Sequence, residues 1–391
     1  MESKLINSVA EANVTAAAAQ PWDTVVIGAG VAGSVCAHAL AQGGGRVLLV
    51  ERSVLPRIKV CGCCLGPVGV ERLEAARLGA TLTGALRIEA CELRVGRHVA
   101  TLPAPGFRVI GRDVLDERLA AAAQAAGACV LTGWSARVQS GGTVELRNAT
   151  SKSVTIRTRA IIVADGLGGT SLADRHEFGW CTSARSRMGI GAILDRSPFP
   201  LGIERMSMAC GRAGYLGLVR LPTGEVDAAA SFDPAAVRLA GGPAKLCAEL
   251  VSSAGGDPQA MASADWRGTP LLTRRRTRIE SGNVYVVGDA AGYVEPFTGE
   301  GMTWAIRGSV LAAETVRAAM AGRAAEGSWT RLYQRELAAE HRRCRRIAGL
   351  LRYPRALAAA VAVGAFVPSL LTRAASALGP KTSQGYEGWA A

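Results

Sequence analysis

Thr24-Val25-Val26-Ile27-Gly28-Ala29-Gly30-Val31-Ala32-Gly33 decides the fold, because an apolar strand-like run passes directly into G-x-G-x-x-G. Gly28 permits the tight turn, Gly30 lets backbone approach a pyrophosphate, and Gly33 allows a helix to pack closely on the strand. The helix N-terminus then offers free N–H donors and partial positive charge to the phosphates. The spacing predicts a strand at 25–27, a helix from about 32 to 41, and a second strand over 46–51. Glu51 ends that second strand, where it can accept a hydrogen bond from an adenosine ribose. Ala32, inside the turn, and Arg52, after the acid, complete this candidate set.

A second glycine signature returns late in the chain. Gly288-Asp289-Ala290-Ala291-Gly292 follows the apolar run Val284-Tyr285-Val286-Val287 and continues to Pro296, Gly299, Gly301 and Met302. Asp289 suits a ribityl hydroxyl, and Pro296 with the glycines brings bare backbone to an isoalloxazine edge. A helix starting near Gly301 would aim its N-terminus at the flavin and stabilise the negative charge of the reduced ring. The two signatures together predict FAD rather than FMN.

Composition narrows the class. The chain has 391 residues, is 49% hydrophobic with 47 glycines, and carries a formal charge of +13. That length and apolar content suit a large α/β enzyme. The positive charge fits anionic cofactors or an anionic membrane surface; no basic run interleaved with aromatics and no zinc-finger spacing points to nucleic acid. Ten cysteines without an evident signal peptide are expected as reduced thiols in a cytoplasmic protein. Four scattered histidines argue against a metal site.

Between the signatures, alternation at 87–101 reads as antiparallel strands and 112–127 as a helix. Strands are expected around Val130, Val144 and Thr155, at 160–164, 215–220 and 226–232, with one helix near 243–254. The expected fold is α/β: a Rossmann-like FAD-binding domain (21–85, 105–180 and 271–325) with an inserted antiparallel-sheet substrate domain (86–104 and 181–270). Helices would fill 326–391, behind a disordered or weakly helical leader over 1–20.

The chain resembles the flavoprotein superfamily of hydroxybenzoate-hydroxylase type, in its geranylgeranyl-reductase-like branch. Four motifs carry the resemblance: Gly288–Gly301, matching GDAAGxxxPxxGxG; Pro56-Arg57-Ile58-Lys59-Val60-Cys61-Gly62, then Leu65 and Pro67; Gly111-Arg112-Asp113-Val114-Leu115-Asp116; and Ala164-Asp165-Gly166 with Ser171. The resemblance implies that Arg112 approaches the cofactor, that Asp165 and Gly166 support FAD, and that NADPH or NADH visits transiently as reductant. It also implies roles for Lys59 and Cys61 beside the flavin.

Two departures shape the functional expectation. The aromatic Tyr-x-Trp-x-Phe-Pro stretch of isoprenoid reductases is replaced by Gly214-Tyr215-Leu216-Gly217-Leu218-Val219, and the halogenase loops are missing. The reading favoured from sequence is therefore a monooxygenase hydroxylating or epoxidising an apolar or aromatic small molecule with NAD(P)H and O₂. The alternative is a reductase of C=C bonds in a lipid-like substrate. Lys59, Cys61 and Pro296 are the candidate catalytic residues. Cys61-Gly62-Cys63-Cys64 is open to two readings: a thiol or Cys61–Cys64 redox pair against the flavin, its thiol activated by Lys59 or Arg57, or small apolar packing. The charge-free stretch 356–372, behind a run of arginines, either lies on a membrane surface or covers the substrate domain.

Overall fold

Trp22–Ile27 sits at the centre of a parallel sheet, paired with Val47–Glu51 on one side and Ser153–Val163 on the other. Cys129–Thr132 extends the sheet beyond Val47–Glu51, and Val284–Val286 extends it beyond Ser153–Val163. Val25, Val26, Leu48, Leu49, Ile161 and Ile162 are all fully buried, as continuous apolar runs in a sheet covered on both faces must be. The computed structural model describes residues 12–262, 264–295, 297 and 299–366. Helix Val31–Gln42 crosses over from the first strand and packs against Gly301–Met320 and Arg112–Ala125. The strand returning at Val284 therefore completes a layer begun at the N-terminus.

A second, eight-stranded sheet runs in the order Arg267–Leu271, Met188–Leu194, Val226–Phe232, Gly214–Arg220, Arg205–Cys210, Leu86–Val95, His98–Val109, Cys64–Leu65. It is antiparallel except where Arg205–Cys210 lies parallel to Leu86–Val95. Strand periodicity splits its residues. Ile190, Ala192, Leu216, Leu218, Val226, Ala228 and Ala230 pack with Leu246 and Leu250 of helix Pro243–Ser253. Gly191, Gly217, Asp227 and Ala229 consequently face the opposite way, toward loop 57–63. A Cβ on Gly191 would stand 2.9 Å from Val60, and one on Gly62 would stand 3.8 Å from Ala229.

The structure revises several expectations. Ala12–Ala19, expected as part of a disordered or weakly helical leader, is a helix with Val14 and Ala17 buried, and Ala17 O accepts from Trp22 Nε1 at 2.8 Å. Residues 1–11 lie outside the described residues. Strand His98–Val109 runs past the boundary expected at 104, and Pro234–Ala240 forms a helix that apolar patterning did not indicate. Trp180–Thr182, Arg274–Arg276 and Gly292–Tyr293 make a small third sheet.

The chain ends in helices Ser328–Leu350 and Pro354–Phe366. Leu357, Ala358 and Val361 of the latter pack on Leu93, Val95, Ala100 and Tyr215 of the second sheet. The charge-free stretch 356–372 thus covers that sheet over its described part, and residues 367–391 lie outside the described residues. Among the described residues no helix is long and apolar enough to cross a membrane.

Candidate active site

The glycine turn is built by sterics. Gly28 has φ +102°, and a Cβ there would meet the Ala164 carbonyl at 2.5 Å. Only glycine accommodates both conditions, and the contact ties the turn to Asp165-Gly166. The two signatures also touch directly: a Cβ on Gly288 would lie 2.7 Å from that of Ala32. Ala32 therefore serves as a packing surface for the second signature. Gly33 holds the helix against the turn, since any Cβ there would clash with Gly28 O.

Two guanidinium groups stand over Gly30. A Cβ on Gly30 would lie 3.7 Å from Nη2 of both Arg112 and Arg57. Arg112 is buried and held by Asp116, one helical turn away, at 2.8 Å. Arg57 Nη1 reaches Asp116 at 3.2 Å, and its Nη2 reaches Glu51 at 3.4 Å. Glu51 also accepts from the N–H groups of Ala29 and Ser53, so the acid fixes the turn as well as facing the expected ribose position. Arg52 is exposed and its side chain lies outside this cluster; Arg57 fills the place that adjacency to Glu51 suggested for it.

The remaining cofactor candidates converge on the same cleft. Asp165 Oδ2 accepts from Ser171 N and Oγ at 3.0 and 2.7 Å, while its buried Oδ1 has no hydrogen-bond partner. Lys59 Nζ stands 3.7 Å from where a Gly166 Cβ would be. Burial and Arg112 push the Lys59 ammonium below its ordinary pKa, against the opposing charges of Asp289 and Asp116. Gly299 (φ +74°) backs onto Cys64, and Gly301 lies under the ring of Tyr293, with a Cβ at 3.1 Å. Met302 is buried at the start of helix Gly301–Met320. Pro296 lies outside the described residues.

These features fit FAD. An orphaned buried carboxylate oxygen on Asp165 and a Cβ-free cradle at Gly30 under two arginines are what a ribityl–pyrophosphate chain would satisfy. Lys59 stands beside Gly166 and feels the charge of Asp289, which brings the Asp165-Gly166 and Gly288-Asp289 motifs to one lysine.

Cys61 is the thiol in this region whose ionisation the surroundings favour. Its sulfur accepts from the N–H and S–H of Cys63 and from the Arg112 guanidinium, and together these lower its pKa to about 5 against the cost of burial. The sequence suggested Cys64 as partner and Lys59 or Arg57 as activating cation. The structure supplies Cys63 and Arg112 instead, because Cys64 enters a strand paired with Val109 while Cys63 (φ +51°) turns back toward Cys61. None of the ten cysteines, all of which lie among the described residues, forms a disulfide. Cys63 also contacts Asp227 of the second sheet, a buried carboxyl whose pKa burial and the Cys61 charge raise well above its ordinary value.

Asp116, Cys63, Asp227 and Tyr293 were not singled out from sequence as site residues. Asp116 had a signal, its i,i+4 spacing from Arg112; the others are brought in by tertiary pairing. Arg187, fully buried, bonds Glu295 at 3.0 Å and approaches Asp233 at 3.6 Å, fastening the second signature to the substrate sheet. Among the described residues no group of three His, Cys, Asp or Glu side chains is placed to hold a metal ion.

Comparison with known proteins agrees with this geometry. The model of the FAD binding domain family matches residues 22–343. Menaquinone reductase of Mycolicibacterium smegmatis is 28% identical over 415 residues, covering 94% of each chain. The menaquinone reductase of Mycobacterium tuberculosis is 27% identical over 368 residues, covering 86% of this chain and 85% of that protein. A geranylgeranyl bacteriochlorophyll reductase-like protein from Thermoplasma acidophilum superposes with a TM-score of 0.71 at 19% identity, covering 88% of this chain and 91% of that one.

Proposed function

The chain belongs to the FAD binding domain family and is an FAD-dependent oxidoreductase, and from that premise we propose that it reduces a carbon–carbon double bond in a lipid-like substrate of the menaquinone class. The observation that carries this reading is Cys61, a thiol held ionisable by Arg112 and Cys63 within the cofactor cleft. Reduction of a C=C bond needs one proton delivered beside each hydride, from a positioned side chain such as Cys61 or from a water. Hydroxylation by a flavin–oxygen oxidant needs orientation and a dry pocket but no such thiol. Sequence alone favoured hydroxylation; the placement of Cys61 and the names of the two mycobacterial relatives favour reduction.

FAD, once reduced by NADPH or NADH, would supply the hydride. Arg112 and Arg57 would neutralise its pyrophosphate, Glu51 would hold the adenosine ribose, and Asp165 and Asp289 the ribityl chain. Lys59 would place a charge near the ring, and Cys61 would hand a proton to the carbon next to the one receiving hydride. The substrate would reach the ring from the side of the second sheet that faces loop 57–63, where Tyr215 and Phe297 meet edge-on with centroids 5.0 Å apart.

A lipid-like substrate also suits the C-terminal surface. Leu350 and Tyr353 are 58% and 66% exposed at a pocket rimmed by Arg185, Arg346 and Arg352. This apolar shelf with a basic rim is the place we propose for peripheral contact with an anionic membrane. The functional reading is tested by mixing anaerobically reduced holoenzyme with menaquinone or with oxygen. Rapid return of oxidised-flavin absorbance with menaquinone, with two hydrogens kept on carbon after any quinol is reoxidised, and slow return with oxygen alone, supports it; the reverse order refutes it.

A further inference from the structure

We propose that the arginine-rimmed pocket at Leu350 and Tyr353 binds the phosphate of an anionic membrane lipid, and that Asp233 couples this binding to the flavin loop by changing arginine partners. The proposal rests on the membrane contact placed there above and adds a switch that contact alone does not contain.

One carboxylate oxygen joins the two places. Asp233 Oδ1 lies 3.3 Å from Nη1 of Arg352, which lines the pocket, and 3.6 Å from Nε of Arg187. Arg187 is fully buried and donates through Nη1 to Glu295 at 3.0 Å, within the second glycine signature. Its other edge is poorly served, because Nε and Nη2 are buried without a hydrogen-bond partner. Arg112 shows what such an edge does with a carboxylate of its own: Nε and Nη2 bond Asp116 Oδ1 at 3.0 and 2.8 Å. Shared with Arg352, Asp233 stops short of that closure. Apolar contact runs alongside, since Phe297 of the same signature packs in one cluster with Leu351, Leu357 and Val361 of the C-terminal helices.

The pocket suits a lipid phosphate. Its volume is about 630 Å³, and Arg185, Arg346 and Arg352 surround exposed Leu350 and Tyr353. Among the described residues, the only carboxylate paired with any of these three arginines is Asp233. Phosphate oxygens match the guanidinium fork, and acyl chains meet the apolar shelf. A phosphate that takes Arg352 releases Asp233 to close on Nε and Nη2 of Arg187. Two arrangements follow: Asp233 divided between two arginines, or phosphate on Arg352 and Asp233 on Arg187 alone. In the second, both edges of Arg187 are satisfied and Glu295 is held firmly, which sets the loop that faces the cofactor. Lipid and FAD then favour the same arrangement, so each strengthens the binding of the other. Asp233 is a positioning residue here and no covalent bond changes.

Dilution of the holoenzyme, with released FAD read by its fluorescence, measures the coupling without turnover. Phosphatidylglycerol vesicles should tighten FAD binding by roughly 5-fold or more, and FAD should tighten vesicle cosedimentation by the same factor. Phosphatidylcholine vesicles and inorganic phosphate should do neither. Arg352→Gln should bind phosphatidylglycerol roughly 5-fold more weakly. It should nevertheless show the tighter FAD affinity with no vesicles present, because Asp233 is already released. A surface-charge role for Arg352 would leave that affinity at the wild-type value. Asp233→Asn, with circular dichroism unchanged and vesicle binding retained, should lose the FAD response. Vesicle binding without a change in FAD affinity, or Arg352→Gln with wild-type FAD affinity, overturns the switch and leaves membrane contact standing. Failure of phosphatidylglycerol vesicles to retain the wild type refutes membrane contact and the proposal with it. Inorganic phosphate that reproduces the FAD effect overturns a lipid as the source.

Discussion

The guanidinium of Arg112 closes on the carboxylate of Asp116 with three hydrogen bonds of 3.0, 2.8 and 3.0 Å, one turn along the same helix. The carboxylate fixes the plane of the arginine, which can then serve Cys61 and the Gly30 turn at once. Arg57 shares Asp116, so two cations and two acids (Glu51 is the other) form one network under the turn. A lysine cannot reproduce this geometry, having no planar fork.

Arg112→Lys should therefore weaken FAD binding and raise the Cys61 pKa together. In wild type, the Cys61 thiol titrates at about 5 when folded and near its ordinary 9.0 when unfolded. A lowered acid contributes stability that is full above 9.0 and is lost as pH falls toward about 5. Denaturant melts of wild type against Cys61→Ala should diverge increasingly over that window as pH rises. In an Arg112→Lys background the divergence should shrink, and an unchanged slope would count against Arg112 as the activating group.

Asp289 and Glu300 should separate cleanly. Asp289→Ala removes a charge-assisted bond to the expected ribityl chain, with a loss of roughly 10- to 150-fold in FAD affinity. Glu300 instead pairs with Arg343 at 2.8 Å, tying helix Gly301–Met320 to Ser328–Leu350. Glu300→Ala leaves Arg343 partly buried without that partner and should cost about 1–3 kcal/mol of stability. FAD titration and thermal melts read the two effects independently.

His341 reports on the packing of the same two helices. Its ring meets Trp304 at 4.6 Å and Tyr333 at 6.0 Å between centroids, and burial beside Arg345 lowers its pKa from 6.5 to about 4. The unfolded chain takes up the proton first, so stability should fall as pH drops from 6.5 toward about 4. His341→Gln should start less stable yet lose this part of the acid-side slope, as chemical denaturation across that range would show.

Membrane contact through the C-terminal shelf predicts salt-sensitive cosedimentation with phosphatidylglycerol vesicles. Tyr353→Asp should abolish it, and Arg346→Glu, a change of two charges, should weaken it roughly 30-fold, on the scale of about 1 kcal/mol per charge near an anionic surface. Wild-type retention by neutral phosphatidylcholine vesicles alone would point to apolar contact without the arginine rim.

What was legible in the sequence was what is local in it. Gly28, Gly30, Gly33 and Glu51 lie on one strand–turn–helix–strand unit, and Gly288 with Asp289 lies on another, so spacing reveals their geometry. The discontinuity of the cofactor layer was legible as well, because Val284–Val287 repeats the strand signal. Loop 52–63 was not. No periodicity tells which of Arg52 and Arg57 turns inward, or that Cys63 rather than Cys64 faces Cys61; that follows from Cys64 pairing with Val109. Alternation around Val226–Phe232 reveals a strand, but which face of it meets the cofactor cleft depends on helix Pro243–Ser253 covering the other. The side of the sheet that Asp227 occupies was therefore not legible until the two sheets were in place.

The central claim is best tested by the product of one turnover. Holoenzyme reduced without oxygen and given one equivalent of menaquinone should return a lipid that, after air reoxidation of any quinol, is still heavier by two carbon-bound hydrogens, one of which comes from solvent and is lost or delayed in Cys61→Ser. Recovery of unchanged menaquinone, with the reduced enzyme instead consuming oxygen to place one oxygen atom in an aromatic substrate, would contradict the account.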